Sequence, residues 1–356
     1  MSNKANMQQI GFTALFNIVI LIALSAQAPK EKHFKNLRQL TFGGDNAEAY
    51  FSPNGKNASF QSNNPKWGLE CDQIFNLNIK KASKDTTYRP PKISTGHGRT
   101  TCSYFMPNGK DILYASTHQG GHACPAPPAS DGKKYLWAVY PDFDIFVADK
   151  KGKILQQLTN TAGYDAEATV SPDGKKIVFT STRSGDLELW VMDIDGSHQV
   201  QITNGLGYDG GAFFSPDSKR LVFRASRPTT QKDIEDYKAL LSKGLVAPTD
   251  MEIYTINVDG TNLKQVTKLG KANWAPFFHP SGKKIIFSSN HHSKRGYDFQ
   301  LYMINEDGTG LEAITGESIF NAFPMFSPNG KQLIFSSNRN NHGTRDTNLF
   351  IADWVD

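Results

Sequence analysis

Cysteine is scarce in this chain: three in 356 residues, Cys71, Cys102 and Cys124, with no C-x-x-C pair among them. A zinc site of the usual paired spacing and a dense disulfide scaffold are both excluded by that count. A run of charge of one sign is missing as well. The formal net charge is +5, but lysines and arginines are scattered among acids, so nucleic-acid binding, which needs a clustered basic face, is not expected. No G-x-S-x-G elbow, H-E-x-x-H helix or phosphate-cradling G-x-x-x-x-G-K-[ST] occurs, which removes the chemistries those motifs carry. Asp193 to Gly196 reads D-x-D-G but lacks the ligand ladder and terminal glutamate of a calcium loop, so it is a hairpin turn.

One long apolar run is present, Ile10 to Leu24, with Lys4 ahead of it and the small residues Ser25, Ala26 and Ala28 behind. It reads as an export signal over residues 1–28, cut between Ser25 and Pro29. The run is short for a retained span of roughly 20 residues. The mature protein is therefore expected in the periplasm or outside the cell, with no membrane span left and with disulfides permitted.

What the chain has in plenty is turns. There are 30 Gly and 18 Pro, and 11% of residues are aromatic, a composition that suits an all-β protein. One phrase recurs six times: AYFSPNGKNASF (49–60), SYFMPNGKDILY (103–114), ATVSPDGKKIVF (168–179), AFFSPDSKRLVF (212–223), PFFHPSGKKIIF (276–287) and PMFSPNGKQLIF (324–335). Proline presets φ early in the turn, and glycine takes the left-handed position that returns the chain antiparallel. The anchor residues Ser52, Met106, Ser171, Ser215, His279 and Ser327 lie 44 to 65 residues apart; the shortest spacings match the roughly 40–50 residues of a four-stranded propeller blade. Between anchors lies a second hairpin, as in DLELWVMDIDGSHQVQIT (186–203), EIYTINVDGTNLKQVT (252–267) and FQLYMINEDGTGLEAIT (299–315). Two hairpins make four antiparallel strands per unit.

The ends of the chain complement each other. After the sixth anchor the sequence offers NLFIADW and no outer strand, while FKNLRQLT (34–41) is an outer strand with no blade of its own. Joining the two removes the open edges. The fold class expected is all-β, a six-bladed β-propeller over residues 34–356, closed by its N-terminal strand.

These S-P-D-G-K hairpins followed by D-G-T-x-x-Q-L-T hairpins resemble the TolB-like β-propeller family of secreted and periplasmic bacterial proteins, over about residues 34–354. Here the signal region runs directly into the closing strand, so the α/β domain that precedes the TolB propeller is not expected. The resemblance implies a non-enzymatic binding module for a protein or peptide of the cell envelope.

Strands that run up and down put all six S-P-x-G turns on one face, and the starts of the inner strands with the longer loops on the other. Chemistry is sought on that loop-rich face, where the repeats differ. Four residues before each anchor stand Glu48, Cys102, Glu167, Gly211, Ala275 and Phe323; six before stand Asn46, Thr100, Asp165, Asp209, Asn273 and Asn321. Strand alternation points both sets the same way, so Asp165 with Glu167 and Asn46 with Glu48 are expected to converge on the axis as an oxygen-rich ring. It would take a polar peptide segment, a glycan, or a divalent cation such as calcium. His97 and Arg99 are expected at the same mouth, facing Glu48 or Glu167. An alternative role is an enzyme, a lyase or hydrolase acting on a glycan or peptide, with Glu48, Asp165, Glu167, His97 and Arg99 as acid, base and charge-stabilising groups.

Two insertions belong to this face: Thr117 to Phe143, and 229–250, where Thr230 and Asp233 form a capping box, Ile234, Tyr237 and Leu241 share one side of a short helix, and Gly244 suits its end. A disulfide from Cys102 to Cys124 is favoured, with Cys71 able to replace either partner. The protein is expected to be a monomer.

Overall fold

The computed structural model describes residues 31–128 and 134–356. The export segment therefore lies outside the described residues, as does the middle of the first insertion. Among the described residues no helix is long and apolar enough to cross a membrane.

Six antiparallel sheets stand around a common axis. Blades 1 to 6 begin at the inner strands Asp45–Phe51, Thr100–Phe105, Asp165–Val170, Asp209–Phe214, Asn273–Phe278 and Asn321–Phe326. Blades 2 to 6 have four strands each, and blade 1 has three, with Lys92 bridging to Phe75 in place of a full fourth strand. The closure expected from the sequence is present: Phe34–Gln39 pairs with the last strand, Asn348–Trp354, with Phe34 opposite Trp354 and Gln39 opposite Phe350.

The Q-L-T phrase has a physical role in that closure. The threonine after each outer strand accepts a hydrogen bond from a backbone N–H of the third strand. Thr159 does so to Ile145, Thr203 to Leu189, Thr267 to Ile253 and Thr315 to Leu301, at 2.8–2.9 Å. Thr41 does the same to Leu349 at 2.9 Å, across 308 residues. The same local chemistry thus completes blade 6 from the opposite end of the chain.

The repeated turns interlock. In each, the residue in the glycine position donates to the anchor carbonyl, as Gly174 does to Ser171 at 2.8 Å. That glycine also abuts the proline of the preceding blade: a methyl group on Gly174 would come within 2.9 Å of Pro107, and one on Gly330 within 3.1 Å of Pro280. With φ near +70° at both positions, only glycine meets both demands without strain. Blade 4 carries Ser218 instead, at φ +61°, and its hydroxyl accepts from Asp173 N in blade 3.

Every inner strand is broken at one place. Pairing with the second strand slips between Ala47 and Tyr50, Thr101 and Ser103, Ala166 and Thr169, Gly210 and Phe213, Trp274 and Phe277, and Ala322 and Met325. The residue inside each slip has positive φ: Glu48, Cys102, Glu167, Gly211, Ala275 and Phe323. A non-glycine residue there costs on the order of 1–3 kcal/mol, and five of the six blades bear that cost. The bulge re-aims the side chains on either side of it, which decides what faces the channel.

Candidate functional site

The bulge separates the two residue sets that alternation would have kept together. The residues six before the anchor are not among those lining the axial slot; they are held in hydrogen bonds and ion pairs within their own blades and, for Asn46, Thr100, Asn273 and Asn321, to the preceding blade as well. Asn46 accepts from Ser62 at 2.9 Å and donates to Thr347 O at 3.0 Å. Asn273 repeats this with Ser289 and Met251 O, and Asn321 accepts from Ser337. Thr100 donates to Asp72 O at 2.9 Å. Asp165 pairs with Arg183 at 2.6 Å, and Asp209 is held by both terminal nitrogens of Arg227. The expected oxygen-rich ring therefore does not form, because alternation fails across a bulge.

The residues four before the anchor do line the channel. Glu48, Cys102, Glu167, Gly211, Ala275 and Phe323 surround a slot of about 30 Å³ together with Tyr50, Thr169, Phe213 and Arg224. That is space for one or two waters. Glu167 is its most tightly held group. Its carboxylate pairs with the Arg224 guanidinium and accepts from Tyr208 OH at 2.8 Å, Thr180 Oγ1 at 2.8 Å and Gly211 N at 2.9 Å. Burial raises its pKa, but the Arg224 charge and these hydrogen bonds outweigh burial and hold it below the ordinary carboxylate range. Glu48 is the opposite case. Its Oε2 has no partner, and burial pushes its pKa up to about 7; the hydrogen bond with Cys102 opposes the rise and the Glu167 charge adds to it. The Cys102 thiol is pushed well above its usual value by burial and by the two carboxylates.

Arg224 reaches Glu167 because Gly211 leaves room: a Cβ there would sit 1.8 Å from Arg224 Nη1. Sequence reasoning missed Arg224 and Tyr208. The signal was available: nine residues after the anchors stand Gln61, Ala115, Thr180, Arg224, Ser288 and Ser336. The single charged member shares its blade with the single glycine of the four-before set.

His97 and Arg99 do not reach this slot. Arg99 pairs with Asp72, and His97 stacks on His122 with ring centroids 4.2 Å apart. Of the five residues named for acid–base work, Glu48 and Glu167 share the slot, while Asp165, His97 and Arg99 lie in other networks. The donors do not suit calcium either. The two slot carboxylates share their space with a guanidinium, and Asp165 and Asp209 are spent on arginines. Among the described residues no group of three or more His, Cys, Asp or Glu side chains is arranged to hold a metal.

The favoured Cys102–Cys124 disulfide is corrected by the structure: Cys124 pairs with Cys71, Cα atoms 6.0 Å apart, and Cys102 is free. Its place in the bulge sends the Cys102 side chain into the channel, while Cys71, on the rim loop of blade 1, meets the insertion of blade 2.

That insertion roofs part of the mouth. Trp137–Ala138 pairs with Leu245–Val246, which follows the second insertion's helix, Gln231–Leu241. The helix has the expected cap: Thr230 Oγ1 accepts from Asp233 N at 3.2 Å, and Gly244 has φ +68°. Trp137 lies over Arg224 at 5.0 Å and against Trp274 at 5.1 Å. Trp274 in turn stacks on Phe299 at 4.2 Å. With Phe143, Tyr164, Leu187 and Val246 these side chains form one apolar cluster over blades 2 to 5.

The roomy end of the channel is the other one. On the face of the S-P-x-G turns a funnel of about 440 Å³ is lined by prolines of all six turns and by the inner-strand ends, among them Phe51, Phe105, Phe214 and Phe278. Tyr104, Phe213, Phe277 and Met325 make its floor. This floor closes the channel: Tyr50 of blade 1 meets Phe213 of blade 4, directly across the ring, at 5.2 Å, and Phe213 meets Phe277 at 5.2 Å. An aromatic septum divides the funnel from the ionic slot.

A closed toroid of six antiparallel blades, bulged on every inner strand and sealed across its axis, defines a six-bladed β-propeller. Its fold is TolB-like. A putative TolB from Agrobacterium tumefaciens superposes with a TM-score of 0.58 at 18% identity, covering 90% of this chain and 97% of that one. TolB from Acinetobacter baumannii gives 0.51 at 18%, over 87% of this chain and 63% of that one. A nidogen/laminin complex gives 0.51 at 11%, over 77% and 81%. No family model matches the sequence, and no curated protein matches it.

Proposed function

We propose that this chain is an exported binding module, active in the periplasm or outside the cell, that holds a polypeptide segment of a cell-envelope partner at an end of its channel. The single observation that carries this reading is the funnel at the turn face. Its volume of about 440 Å³ lies within the roughly 300–1,000 Å³ of ligand pockets, which are mostly apolar with a few polar groups. The slot at the loop-rich end, at about 30 Å³, admits no side chain. The partner is therefore held on the face opposite to the one that sequence variation favoured. The TolB-like fold and the apolar N-terminal segment are consistent with export.

The test is retention of envelope proteins by the purified mature chain and by Phe277→Ala and Trp137→Ala variants. A partner kept by the wild type and by Trp137→Ala but lost with Phe277→Ala supports the reading. A partner insensitive to Phe277 but lost with Trp137 contradicts it.

A further inference from the structure

The turns that frame the funnel share one more feature. The residue after the glycine position is lysine in all six: Lys56, Lys110, Lys175, Lys219, Lys283 and Lys331. All six are exposed, and among the described residues none takes part in an ion pair. Neighbouring cations on the same face behave differently, since Lys176 is paired with Asp193 and Arg220 with Glu306. Three acids stand beside these lysines: Asp173 and Asp217 within their turns, each ionised and also accepting from its own anchor serine, and Asp111 next to Lys110. At the other four turns the matching position is Asn54, Asn108, Ser281 and Asn329, all neutral. The rim of the apolar funnel thus carries six exposed lysines against three carboxylates, Asp111, Asp173 and Asp217, an excess of positive charge, although among the described residues Asp173 is the one charged residue of the funnel lining itself.

Resting on the binding role proposed above, we infer that the partner segment is acidic: one bulky apolar side chain seats on the aromatic floor while flanking carboxylates lie over the ring of turn lysines. Charge complementarity selects this occupant. A neutral apolar chain would fill the funnel but leave the lysines unused, and a basic one would be repelled. Rim charges of this kind act mainly on encounter rate and on the choice between partners.

The experiment uses the mature protein and fluorescently labelled nonapeptides of aspartate, glutamate and glycine with one central tryptophan. The controls are the same peptide with alanine at the centre, a tryptophan peptide with lysines in place of the acids, and phosphatidylglycerol vesicles. Binding is read by anisotropy from about 0.1 M to about 1 M salt, over which the screening length falls from about 10 Å to about 3 Å. The acidic tryptophan peptide is expected to bind, to weaken roughly tenfold with salt and with the charge-reversed variant K110E/K175E/K219E/K331E, and to be lost with the alanine centre or with Phe277→Ala. Unchanged melting of the charge-reversed variant shows that it folds. Equal binding of acidic and basic tryptophan peptides, independent of salt, overturns the inference while leaving the funnel as the site. Binding of acidic peptides that ignores both the central residue and Phe277 overturns the funnel itself. Vesicle binding without peptide binding overturns the inference in favour of an anionic surface.

Discussion

The two ends of this channel are made by the same six strands, and they differ in nearly everything a ligand would meet. At the turn end the repeats agree: a proline from every blade, an aromatic or apolar residue before every anchor, a lysine after every glycine position. The result is an open funnel. At the loop-rich end the repeats disagree, with Glu48, Cys102, Glu167, Gly211, Ala275 and Phe323 at equivalent places. Two insertions join above them, and about 30 Å³ remains. Diversity of side chains marks where the chain has chemistry to resolve internally; uniformity marks where it leaves space. In a repeat protein the site need not lie where the repeats diverge.

That comparison can be broken by experiments on each end. The largest effect is expected for Arg224→Ala, which leaves Glu167 buried and uncompensated; chemical denaturation should show a loss of about 3–5 kcal/mol. The double variant Arg224→Met with Glu167→Gln should recover much of it. A small loss for the single variant would mean that the slot is wetter than its packing indicates. Next comes the tie that holds the first insertion. Cys71→Ser is expected to cost about 2–4 kcal/mol, whereas Cys102→Ser, outside the disulfide, should cost less than about 1 kcal/mol. A peptide map of the unreduced protein should join Cys71 to Cys124.

A third experiment uses pH. The Glu48 pKa is raised to about 7 in the folded protein against about 4.3 in an unfolded chain. The folded state therefore holds a proton that the unfolded state releases, and stability falls as pH rises from about 4 to about 7. Below that window the carboxyl imposes no penalty, and above it the penalty is complete. Glu48→Gln removes it. Relative to wild type, the variant should be more stable by roughly 1–3 kcal/mol at pH 8 after allowance for partial exposure, with the difference vanishing near pH 4. A difference independent of pH would show that Glu48 has a partner in solution. The smallest effect belongs to the turn end, where each lysine reversal should shift stability by no more than about 0.5 kcal/mol. A large loss there would mean that the ring is structural.

The architecture was legible in the sequence because its signals are local and repeated. The S-P-x-G turns fix strand direction, Thr41 repeats the outer-strand threonine, and Thr230 with Asp233 starts the helix. What could not be read was the bulge. A left-handed residue inside a strand has no signature when it is a glutamate in two blades, a cysteine in another and a phenylalanine in a fourth. Without it, Asp165 and Glu167 fall on one face; with it, they belong to two arginines, Arg183 and Arg224, in different blades. The disulfide was misassigned for the same reason, since the bulge turns Cys102 into the channel. The funnel was missed because its turns were taken only as connections between strands.

The most direct test of the difference between the two ends is amide hydrogen exchange of the mature protein with and without the acidic tryptophan peptide. Protection is expected at the turn end, in residues 104–107, 213–216, 277–280 and 325–328, with the roof at 137–140 and 245–248 unchanged. Protection confined to the roof, with the turn end indifferent to the peptide, would contradict the account.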